Sequence, residues 1–334
     1  MELDQGIPVV FHKNGVKRGL VIGKFLPLHQ GHIALIRFAA SYCDELIVSM
    51  SFKANDPIDP RLRFSWIQHT FHDRQAVRCE MVPDDFDDES LPIGERTRIW
   101  ADFVRRRFPP IDMIFTSEEY GEPFARHLGV PHLAFDIQRR QVPVSGTLIF
   151  QKPLTYWVYI PAIVRPYFVK KVCFYGPEST GKTTMAKHLA EVYQTEYVPE
   201  VAREMINTND FSEDEIIRIG YAQTQRVFEK VKTANKILFC DTDLITTQIY
   251  SQRYLNKVPD VLYELEKQVH YDAYFLFDID LPWVADGLRD LANERSVMYS
   301  AFKDELVKRK ISFINVRGNY KEREEIIKRE LGDI

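Results

Sequence analysis

Short apolar runs of strand length alternate with helix-period segments along the chain, and this alternation constrains the fold more than any other feature. The strand-length runs are unbroken, whereas the segments between them carry apolar residues at spacings of three and four. Unbroken apolar strands joined by helices are typical of βαβ units in a buried parallel sheet, so we predict an α/β fold. The predicted strands are Gly19–Ile22, Leu46–Ser49, Val77–Val82, Met113–Thr116, His132–Phe135, Lys171–Tyr175, Ile237–Cys240, Tyr274–Phe277 and Ile311–Val316. The predicted helices include Ile33–Tyr42, Arg61–Phe71, Arg98–Phe108, Thr183–Tyr193 and Arg323–Leu331.

The length of 334 residues predicts two domains, because one domain usually spans ~100–200 residues. A segment with Pro153, Pro161 and Pro166 separates the two halves, and it is aromatic rather than rich in Gly and Ser. Such a composition is typical of a packed connector, not of a flexible linker. We predict a first domain at residues 1–152, a packed connector at 153–168 and a second domain at 169–334.

Charge and composition exclude several classes of protein. The 44 Lys and Arg residues face 48 Asp and Glu residues, for a net charge of −4, so no strong basic field points to nucleic acid. The four cysteines form no C-x-x-C pair and are typical of reduced thiols. The first residues lack the pattern of a signal peptide, and no uncharged apolar stretch approaches the ~18 residues that cross a bilayer. We expect a cytoplasmic protein without a membrane span.

The segment Gly176-Pro-Glu-Ser-Thr-Gly181-Lys182-Thr183 matches the phosphate-binding pattern G-x-x-x-x-G-K-[ST], between a predicted strand and a predicted helix. Glycines let the loop backbone surround a triphosphate, and successive N–H groups with the helix N-terminus bind its charge. The lysine reaches the β- and γ-phosphates, and the hydroxyl of Thr183 is a ligand for Mg²⁺. The predicted ATP site consists of Gly176, Glu178, Ser179, Thr180, Gly181, Lys182, Thr183 and Thr184.

A P-loop also needs an acid at the end of another buried strand, where it orders the magnesium ion. Asp241 and Asp243 follow the predicted strand Ile237–Cys240, and we predict Asp241 as the second magnesium ligand. The alternative for either acid is that it caps the next helix. Further along, Arg289 and Arg295 lie on a predicted loop, where small-molecule kinases close a basic lid; the alternative there is a solvated helix.

A second group of chemically active residues follows the first predicted strand. In Gly23-Lys-Phe25-Leu-Pro27-Leu-His29-Gln-Gly31-His32, two histidines bracket a glycine where a strand leads into a helix. Both imidazoles and the helix N–H groups can converge there on an anion, and the glycines allow a nucleotide to approach the backbone. We predict a nucleotide site at Gly23, Lys24, Phe25, His29 and His32.

This segment resembles the HxGH motif of the nucleotidyltransferase superfamily of adenylyltransferases. With the P-loop, the chain is similar to the bifunctional nicotinamide-nucleotide adenylyltransferase/ribosylnicotinamide kinase family (NadR-type), from about Arg18 to the C-terminus. The resemblance implies a Rossmann-like nucleotidyltransferase domain followed by a P-loop kinase domain with a parallel sheet. Other matching stretches are Arg61-Leu-Arg63-Phe-Ser-Trp66, Thr116-Ser117-Glu118, Asp136-Ile-Gln-Arg139, Val144-Ser145-Gly-Thr147, Glu200-Val-Ala-Arg203-Glu204, Asp241-Thr-Asp243-Leu-Ile-Thr-Thr-Gln248 and Trp283-Val-Ala-Asp286-Gly287-Leu-Arg289.

The resemblance implies two successive ATP-dependent steps of NAD biosynthesis. The second domain would phosphorylate the 5′-hydroxyl of nicotinamide riboside to the mononucleotide. The first domain would then bring about in-line attack of that product on the α-phosphate of Mg·ATP, which gives NAD and pyrophosphate. His29 and His32 would stabilise charge on the transferred group, and Ser145 and Thr147 would belong to the same nucleotide site.

For the kinase step, the resemblance assigns catalytic charge stabilisation to Lys182, Arg203 and Arg289. Glu200 and Asp243 are alternatives for the group that accepts the 5′-hydroxyl proton or binds ribose hydroxyls. Trp283 would stack on the cationic nicotinamide ring, unless it is an aromatic core residue. The implied substrate-binding residues are Trp283, Asp243, Glu200 and Asp286.

Two features depart from the family pattern. About 18 residues precede the first predicted strand, too few for the helix-turn-helix repressor domain of some members, so we expect no operator binding. The late superfamily motif Ser-x-Thr-x-x-Arg is replaced by Ser145-Gly-Thr147-Leu-Ile-Phe150, and phenylalanine cannot provide the charged, bidentate hydrogen bonds of a guanidinium. Lys152 is a candidate substitute as a point charge.

Phe150 motivates one alternative function, a ribosylnicotinamide kinase whose first domain is a catalytically degenerate, nucleotide-binding regulatory module. A second alternative is an NAD-sensing protein in which both domains only bind. The bifunctional enzyme is the leading hypothesis, because the His29–His32 pair is intact and the P-loop is complete. The sequence leaves open whether the chain forms a homo-oligomer.

Overall fold

The computed structural model describes residues 15–285 and 290–332. The chain divides after Val164 into two compact units, each with its own sheet. This division lies inside the segment 153–168 that the sequence predicts as a connector.

Five parallel strands form the sheet of the first unit. They are β1 (Arg18–Gly23), β2 (Glu45–Phe52), β3 (Val77–Pro83), β4 (Met113–Thr116) and β5 (His132–Ala134). Their order is β3-β2-β1-β4-β5, with Leu20 of β1 paired with Ile47 on one side and with Ile114 on the other. These three residues are fully buried and pack with Val104 and Phe124 from the covering helices, so the unbroken apolar strands form the core.

Helices cover the first sheet between its strands. They are α1 (Gln30–Ala40), α2 (Pro60–Thr70), α3 (Ile93–Arg107), α4 (Gly121–Leu128) and α5 (Gly146–Gln151). Residues that accept hydrogen bonds from the first helical N–H groups fix where three of them begin: His29 for α1, Asp59 for α2 and Ser145 for α5.

The second unit is also built on five parallel strands. They are β6 (Lys170–Tyr175), β7 (Tyr197–Val198), β8 (Ile237–Asp241), β9 (Ala273–Phe277) and β10 (Phe313–Val316), in the order β10-β9-β6-β8-β7. Val172 of β6 is paired with Phe239 of β8 and with Ala273 of β9. Buried residues of these strands pack against Leu189 and Met185 of the helix that follows the P-loop.

The helices of the second unit are α6 (Arg165–Phe168), α7 (Lys182–Val192), α8 (Ala202–Met205), α9 (Glu213–Lys230), α10 (Leu244–Leu255), α11 (Asp260–Glu266), α12 (Arg295–Lys308) and α13 (Tyr320–Leu331). Capping boxes begin two of them: Ser212 and Glu215 at α9, and Asn319 and Glu322 at α13. Arg295, predicted on a loop, is the first residue of α12.

In each sheet the first strand, β1 or β6, lies in the middle, and later strands are added to one side and then to the other. The strand order therefore reverses beside β1 and β6, and ligands of such sheets bind at the carboxyl ends of the strands at this point. The predicted α/β class with parallel sheets is confirmed; only β7, two residues long, lacks a predicted counterpart. No helix in the described part of the chain has the length and apolarity to cross a membrane.

Candidate active sites

The loop between β1 and α1 brings both motif histidines to the carboxyl edge of the first sheet. His29 is the N-cap of α1, and its Nδ1 accepts hydrogen bonds from the N–H groups of Gly31 (3.1 Å) and His32 (3.4 Å). The imidazole rings of His29 and His32 stack with their centroids 3.7 Å apart, and Phe25 contacts His32 edge-on. Gly31 permits this cap, because a Cβ atom there would lie only 3.0 Å from the His29 ring.

Both imidazoles are neutral at pH 7. Burial, followed by the positive charge of Arg139, lowers the pKa of His29 from 6.5 to about 3. Burial, His29 and Arg139 lower the pKa of His32 well below its usual value. His32 Nδ1 is buried and has no hydrogen-bond partner among the described residues. The pair therefore offers hydrogen-bonding nitrogens, while the positive charge near it comes from Arg139.

A cavity of about 390 Å³ adjoins the histidine pair. The predicted residues Gly23, Lys24, Phe25, His29 and His32 all contribute to its lining. A cavity of this size with a mixed polar and apolar lining suits a small organic ligand.

The same cavity is lined by residues that sequence reasoning missed. Arg96 pairs with Asp87 through two hydrogen bonds (2.9 and 2.6 Å), and its guanidinium lies 5.2 Å from the Trp100 ring centroid. Trp100 in turn packs edge-on against Tyr120, so the cavity has flat aromatic faces. Arg139 donates to the carbonyl of Val144 and to Glu118. These residues come from α3 and from loops far apart in sequence, and only short stretches around Glu118 and Arg139 matched the family pattern.

Lys24 of the loop between β1 and α1 is held through both its backbone and its side chain. Its carbonyl accepts a hydrogen bond from Arg63, which is fully buried and forms an ion pair with Asp56. Its Nζ atom pairs with Glu89 (2.8 Å), as does that of Lys53 (2.9 Å). The two lysines hold the pKa of Glu89 at about 2.

The late motif of the first unit contributes Gly146 to the lining of this cavity. Ser145 caps α5 by accepting a hydrogen bond from Leu148 N–H (3.2 Å), Thr147 is exposed, and neither residue lines the cavity. A Cβ atom on Gly146 would lie 2.6 Å from the carbonyl oxygen of Leu26, so a larger residue does not fit there without a shift. The nucleotide contacts expected of Ser145 and Thr147 stay a prediction. Phe150 is 43% exposed and also lies outside the lining.

The P-loop of the second unit runs from the end of β6 to the start of α7. Gly176 (φ 133°) and Gly181 (φ 83°) adopt conformations that favour glycine. A Cβ atom on Gly176 would also lie 2.9 Å from the carbonyl oxygen of Phe277. Lys182 Nζ donates to the carbonyls of Gly176 and Pro177 (2.8 Å each), and burial lowers its pKa. The lysine is therefore held within the loop.

The Thr183 hydroxyl donates to Asp241 Oδ2 (2.5 Å), which joins the P-loop to the end of β8. Asp241 is fully buried, and burial together with Glu200 raises its pKa. Its Oδ1 atom has no hydrogen-bond partner among the described residues. A hydroxyl and a carboxylate with an unused oxygen are the donors that Mg²⁺ takes from a P-loop protein, so these residues fit the ion. In the described part of the chain, no group of three or more His, Cys, Asp or Glu side chains could hold a metal.

Two small cavities of about 50 and 60 Å³ adjoin the P-loop. The first is lined by the P-loop from Glu178 to Thr184. The second is lined by residues of α8, α9, α10 and the loop between α8 and α9, including Ile206, Phe211 and Ile216. Both share the residues Glu178, Glu200, Arg203, Thr246 and Tyr250. Arg203 Nε donates to Glu200 Oε2 (2.7 Å), so this predicted pair lies between the phosphate-binding loop and the second cavity.

The structure gives Asp243 a different place from the one expected of a substrate-binding acid. Asp243 is 1% exposed, caps α10, and lines neither cavity. Its carboxylate accepts hydrogen bonds from the N–H (2.9 Å) and hydroxyl (3.1 Å) of Thr246 and from the hydroxyl of Tyr274 (3.0 Å). These bonds occupy the carboxylate inside the protein, so the cap alternative is the one the geometry supports.

The predicted lid is described only in part. Asp286 and Arg289 lie outside the described residues. Trp283 lines neither cavity, and the guanidinium of Arg295 lies 5.6 Å from its ring centroid. The neighbouring N–H of Val284 donates to the Ser179 hydroxyl of the P-loop (2.8 Å). Trp283 therefore lies near the P-loop, and its stacking on the nicotinamide ring stays a prediction.

Comparison with known proteins places the chain in a family. The chain is 32% identical over 327 residues to the trifunctional NAD biosynthesis/regulator protein NadR of Escherichia coli (strain K12), which covers 89% of this chain and 78% of that protein. The chain belongs to the NadR family. The NadR of Salmonella typhimurium is 30% identical over 350 residues, or 94% of this chain and 83% of that protein. A nicotinamide-nucleotide adenylyltransferase of Methanocorpusculum labreanum is 29% identical over 137 residues, 41% of this chain and 79% of that protein.

Solved NadR structures share the fold of this NadR-family chain. A NadR protein in complex with NR has a TM-score of 0.75 at 20% identity and covers 91% of this chain and 90% of that one. A NadR protein in complex with NAD and AMP-PNP has a TM-score of 0.76 at 21% identity, with 94% and 95% covered. A family model described as AAA domain matches residues 171–323. As a member of the NadR family the chain is an enzyme of the transferase class.

The NadR-family chain also contains a buried arginine that no motif predicted. Arg323 of α13 is fully buried and donates to the carbonyls of Thr180 (2.6 Å), Gly318 (2.7 Å) and Asp278 (3.1 Å). It forms an ion pair with Asp280 as well. One guanidinium thus ties the P-loop to the ends of β9 and β10. The arginine lies 143 positions from Thr180, so no local signal could have indicated the contact.

Proposed function

We propose that this chain carries out two successive transfers in NAD biosynthesis. Residues 169–334 would phosphorylate nicotinamide riboside, and residues 1–152 would transfer AMP to the resulting nicotinamide mononucleotide, with 153–168 as the connector. The observation that carries this proposal is that one chain has two separate nucleotide-type sites, each at the carboxyl edge of its own parallel sheet. The relatives named NadR and nicotinamide-nucleotide adenylyltransferase support the same assignment.

For the kinase step, the P-loop N–H groups and Lys182 would bind the ATP phosphates. Thr183 and Asp241 would hold Mg²⁺, which neutralises charge on the β- and γ-phosphates when it is bound. Glu200 would accept the proton of the riboside 5′-hydroxyl while the oxygen of that hydroxyl attacks the γ-phosphorus and ADP leaves. We choose Glu200 over Asp243 because Glu200 lines both cavities, whereas the Asp243 carboxylate is buried in a helix cap. Arg203 would stabilise charge on the transferred group.

For the adenylyl transfer, the neutral imidazoles of His29 and His32 would donate or accept hydrogen bonds at the α-phosphate of ATP. The phosphate of the mononucleotide attacks the α-phosphorus, and pyrophosphate leaves. Neutral imidazoles supply little charge, so a cation must stabilise the charge on the reacting phosphates.

We propose that Arg139 supplies this cation in place of the arginine that Phe150 replaces. Three cationic side chains line the cavity among the described residues: Lys24, Arg96 and Arg139. Each of the three is paired with a carboxylate: Lys24 with Glu89, Arg96 with Asp87 and Arg139 with Glu118. Arg139 alone of the three lowers the pKa of both histidines, which puts its charge beside the reacting pair. The aromatic faces of Trp100 and Tyr120 would bind the nicotinamide ring.

The kinase step is tested by measuring ADP formation from nicotinamide riboside and Mg·ATP with the full chain. The wild type should form ADP and nicotinamide mononucleotide, and Lys182→Ala should lower the rate by at least about 10²-fold, because it removes a charge from the phosphate site. Lys187→Ala, an exposed lysine on the same helix, is the matched control and should leave the rate unchanged. Absence of riboside-dependent ADP in the wild type would contradict the kinase proposal.

The adenylyl transfer is tested by mass spectrometry of the full chain with nicotinamide mononucleotide and Mg·ATP. NAD should form, and His32→Ala should lower its rate by about 10²–10³-fold, whereas the exposed His72→Ala control should not. Mononucleotide that persists with the wild type would contradict this half of the proposal. Kinase activity in the same sample would then favour the alternative that Phe150 motivates, a kinase with a nucleotide-binding regulatory unit.

A further inference from the structure

The P-loop carries an acidic side chain that the proposed kinase step does not use. Glu178 lies two residues after Gly176, and its side chain lines both cavities of the second unit. Its Oε2 atom is buried and accepts no hydrogen bond from the described residues. A buried carboxylate oxygen without a donor is costly, and a ligand in the cavity can supply the missing partner.

Nearby cations do not neutralise Glu178. Lys182 donates to the carbonyls of Gly176 and Pro177, and Arg203 pairs with Glu200. Burial, Asp290 and Glu200 together raise the pKa of Glu178 to about 7, against the smaller opposing effects of Arg203 and Lys182. The carboxyl group therefore lies in a negative environment that a positively charged ligand would relieve.

The position of Glu178 indicates which substrate it meets. The P-loop pattern includes Glu178 in the predicted ATP site, but the carboxylate repels a triphosphate, so we expect this side chain to contact the other substrate. It also lines the larger of the two cavities, beside the aromatic side chains of Phe211, Tyr250 and Tyr254. Aromatic surfaces suit a flat ring, and a carboxylate beside them suits a flat ring with a positive charge. The nicotinamide ring of the proposed riboside substrate carries such a charge.

We infer that Glu178 makes the kinase site selective for positively charged ribosides. Its carboxylate attracts the cationic ring and so favours it over an uncharged riboside of the same shape. This inference rests on the proposed kinase function of the second unit. Because the interaction depends on charge, a glutamine of nearly the same shape at position 178 should abolish the selectivity while it leaves the loop in place.

The test compares kcat/KM of the full chain for nicotinamide riboside and for its uncharged 1,4-dihydro form. Glu178→Gln should lower kcat/KM for the cationic riboside by about tenfold or more, and should change the value for the uncharged form by less than about twofold. Glu264→Gln changes the net charge equally at an exposed site and should alter neither value. Equal losses for both ribosides, or no loss for the cation, would overturn the inference.

Equilibrium binding separates this inference from the proposed function. Titration of the cationic riboside into the wild type and into Glu178→Gln, without ATP, should show about tenfold weaker binding to the variant. A wild type that binds the riboside without forming ADP would contradict the kinase proposal but leave the inference standing. Unchanged binding to Glu178→Gln would contradict the inference alone. The variant should unfold at the same temperature or higher, since it removes a buried, unpaired charge.

Discussion

Replacing Asp243 should destabilise the second unit, whereas replacing Glu200 should slow phosphoryl transfer in a unit of nearly normal stability. Both acids were sequence candidates for the base, and their surroundings now separate them. Asp243 is buried and accepts three hydrogen bonds within the protein, whereas Glu200 lines both cavities. A substitution at Asp243 should therefore lower stability and leave the rate nearly unchanged, and a substitution at Glu200 should lower the rate and leave stability nearly unchanged.

The cost of Asp243→Ala follows from the bonds it breaks. Loss of an N-cap side chain costs about 0.5–2 kcal/mol. The hydroxyl of Tyr274 would remain buried without its acceptor, at a further cost of about 1–3 kcal/mol. The free energy of unfolding should therefore fall by about 1.5–5 kcal/mol. This loss lowers the unfolding temperature of a unit of this size by roughly 3–20 °C. Below that temperature, the turnover rate should stay within about threefold of wild type, since no bond to the substrate is lost.

Glu200→Gln should lower the turnover rate and leave the free energy of unfolding nearly unchanged. Its ion pair with Arg203 is partly exposed, so its loss costs no more than about 1 kcal/mol of stability. Loss of a general base slows turnover by about 10²–10⁴-fold, because the amide cannot take up the 5′-hydroxyl proton.

The assay measures riboside-dependent ADP formation at low temperature, where both variants are folded, together with thermal unfolding of the full chain. Adenylyl transfer in the first unit serves as the internal control for enzyme concentration. If Asp243→Ala turned over at least about a hundredfold more slowly than wild type, with an unchanged unfolding temperature, the reasoning would be refuted and Asp243 identified as the base. Nearly normal turnover in Glu200→Gln would refute it equally.

Three further predictions concern single side chains. Arg139→Ala should lower the rate of NAD formation by about 10²–10³-fold, because it removes the cation beside the histidine pair. Arg140→Ala, at the exposed neighbouring residue, should leave the rate unchanged. Equal rates for the two variants would contradict the role of Arg139. Arg323→Met should lower the free energy of unfolding of the second unit by about 3–5 kcal/mol, because Asp280 and three carbonyls lose their donor. In the same thermal unfolding assay, Arg329→Met at an exposed site on the same helix should change that free energy by less than about 0.5 kcal/mol. Acid should destabilise the first unit, because the pKa of His29 is about 3 in the folded state and about 6.5 in the unfolded state. Between these two pH values the folded state binds fewer protons than the unfolded state. The free energy of unfolding should therefore fall by about 1.4 kcal/mol for each pH unit below pH 6.5. Unfolding at pH 7 and pH 5 checks this, and His29→Asn, which keeps a capping group, should show a weaker dependence.

The fold was predictable because its main signal is local. Buried parallel strands are unbroken apolar runs, and each of the nine predicted strands coincides with an observed one to within three residues at either end. The two phosphate-type loops were predictable for the same reason. A strand, a loop with glycines and a helix are consecutive in the sequence, so the residues that surround an anion are neighbours along the chain.

The sequence could not show which of the two acids at the end of β8 caps the next helix, because the φ angle of the residue between them decides it. Asp241 ends the strand and accepts a hydrogen bond from Thr183. Thr242 adopts a φ of 83°, which turns the chain so that Asp243 becomes the cap of α10 instead of facing the P-loop. A β-branched residue rarely adopts this conformation, so nothing in Asp-Thr-Asp indicated that the two carboxylates would diverge.

The buried arginines beside the two loops could not be predicted from the sequence either, and both hold a loop in place in the same way. Arg63 and Arg323 are both fully buried. Arg63 donates to the carbonyl of Lys24 in the loop between β1 and α1, and Arg323 donates to the carbonyl of Thr180 in the P-loop. Each also forms an ion pair with an aspartate, Asp56 or Asp280. A loop that directs its N–H groups toward a phosphate directs carbonyls the other way, and buried carbonyls need donors. An arginine supplies several donors at once, and its charge also favours the anion on the far side of the loop. Because these donors come from distant elements, a motif identifies the loop but not the arginine that holds it in place.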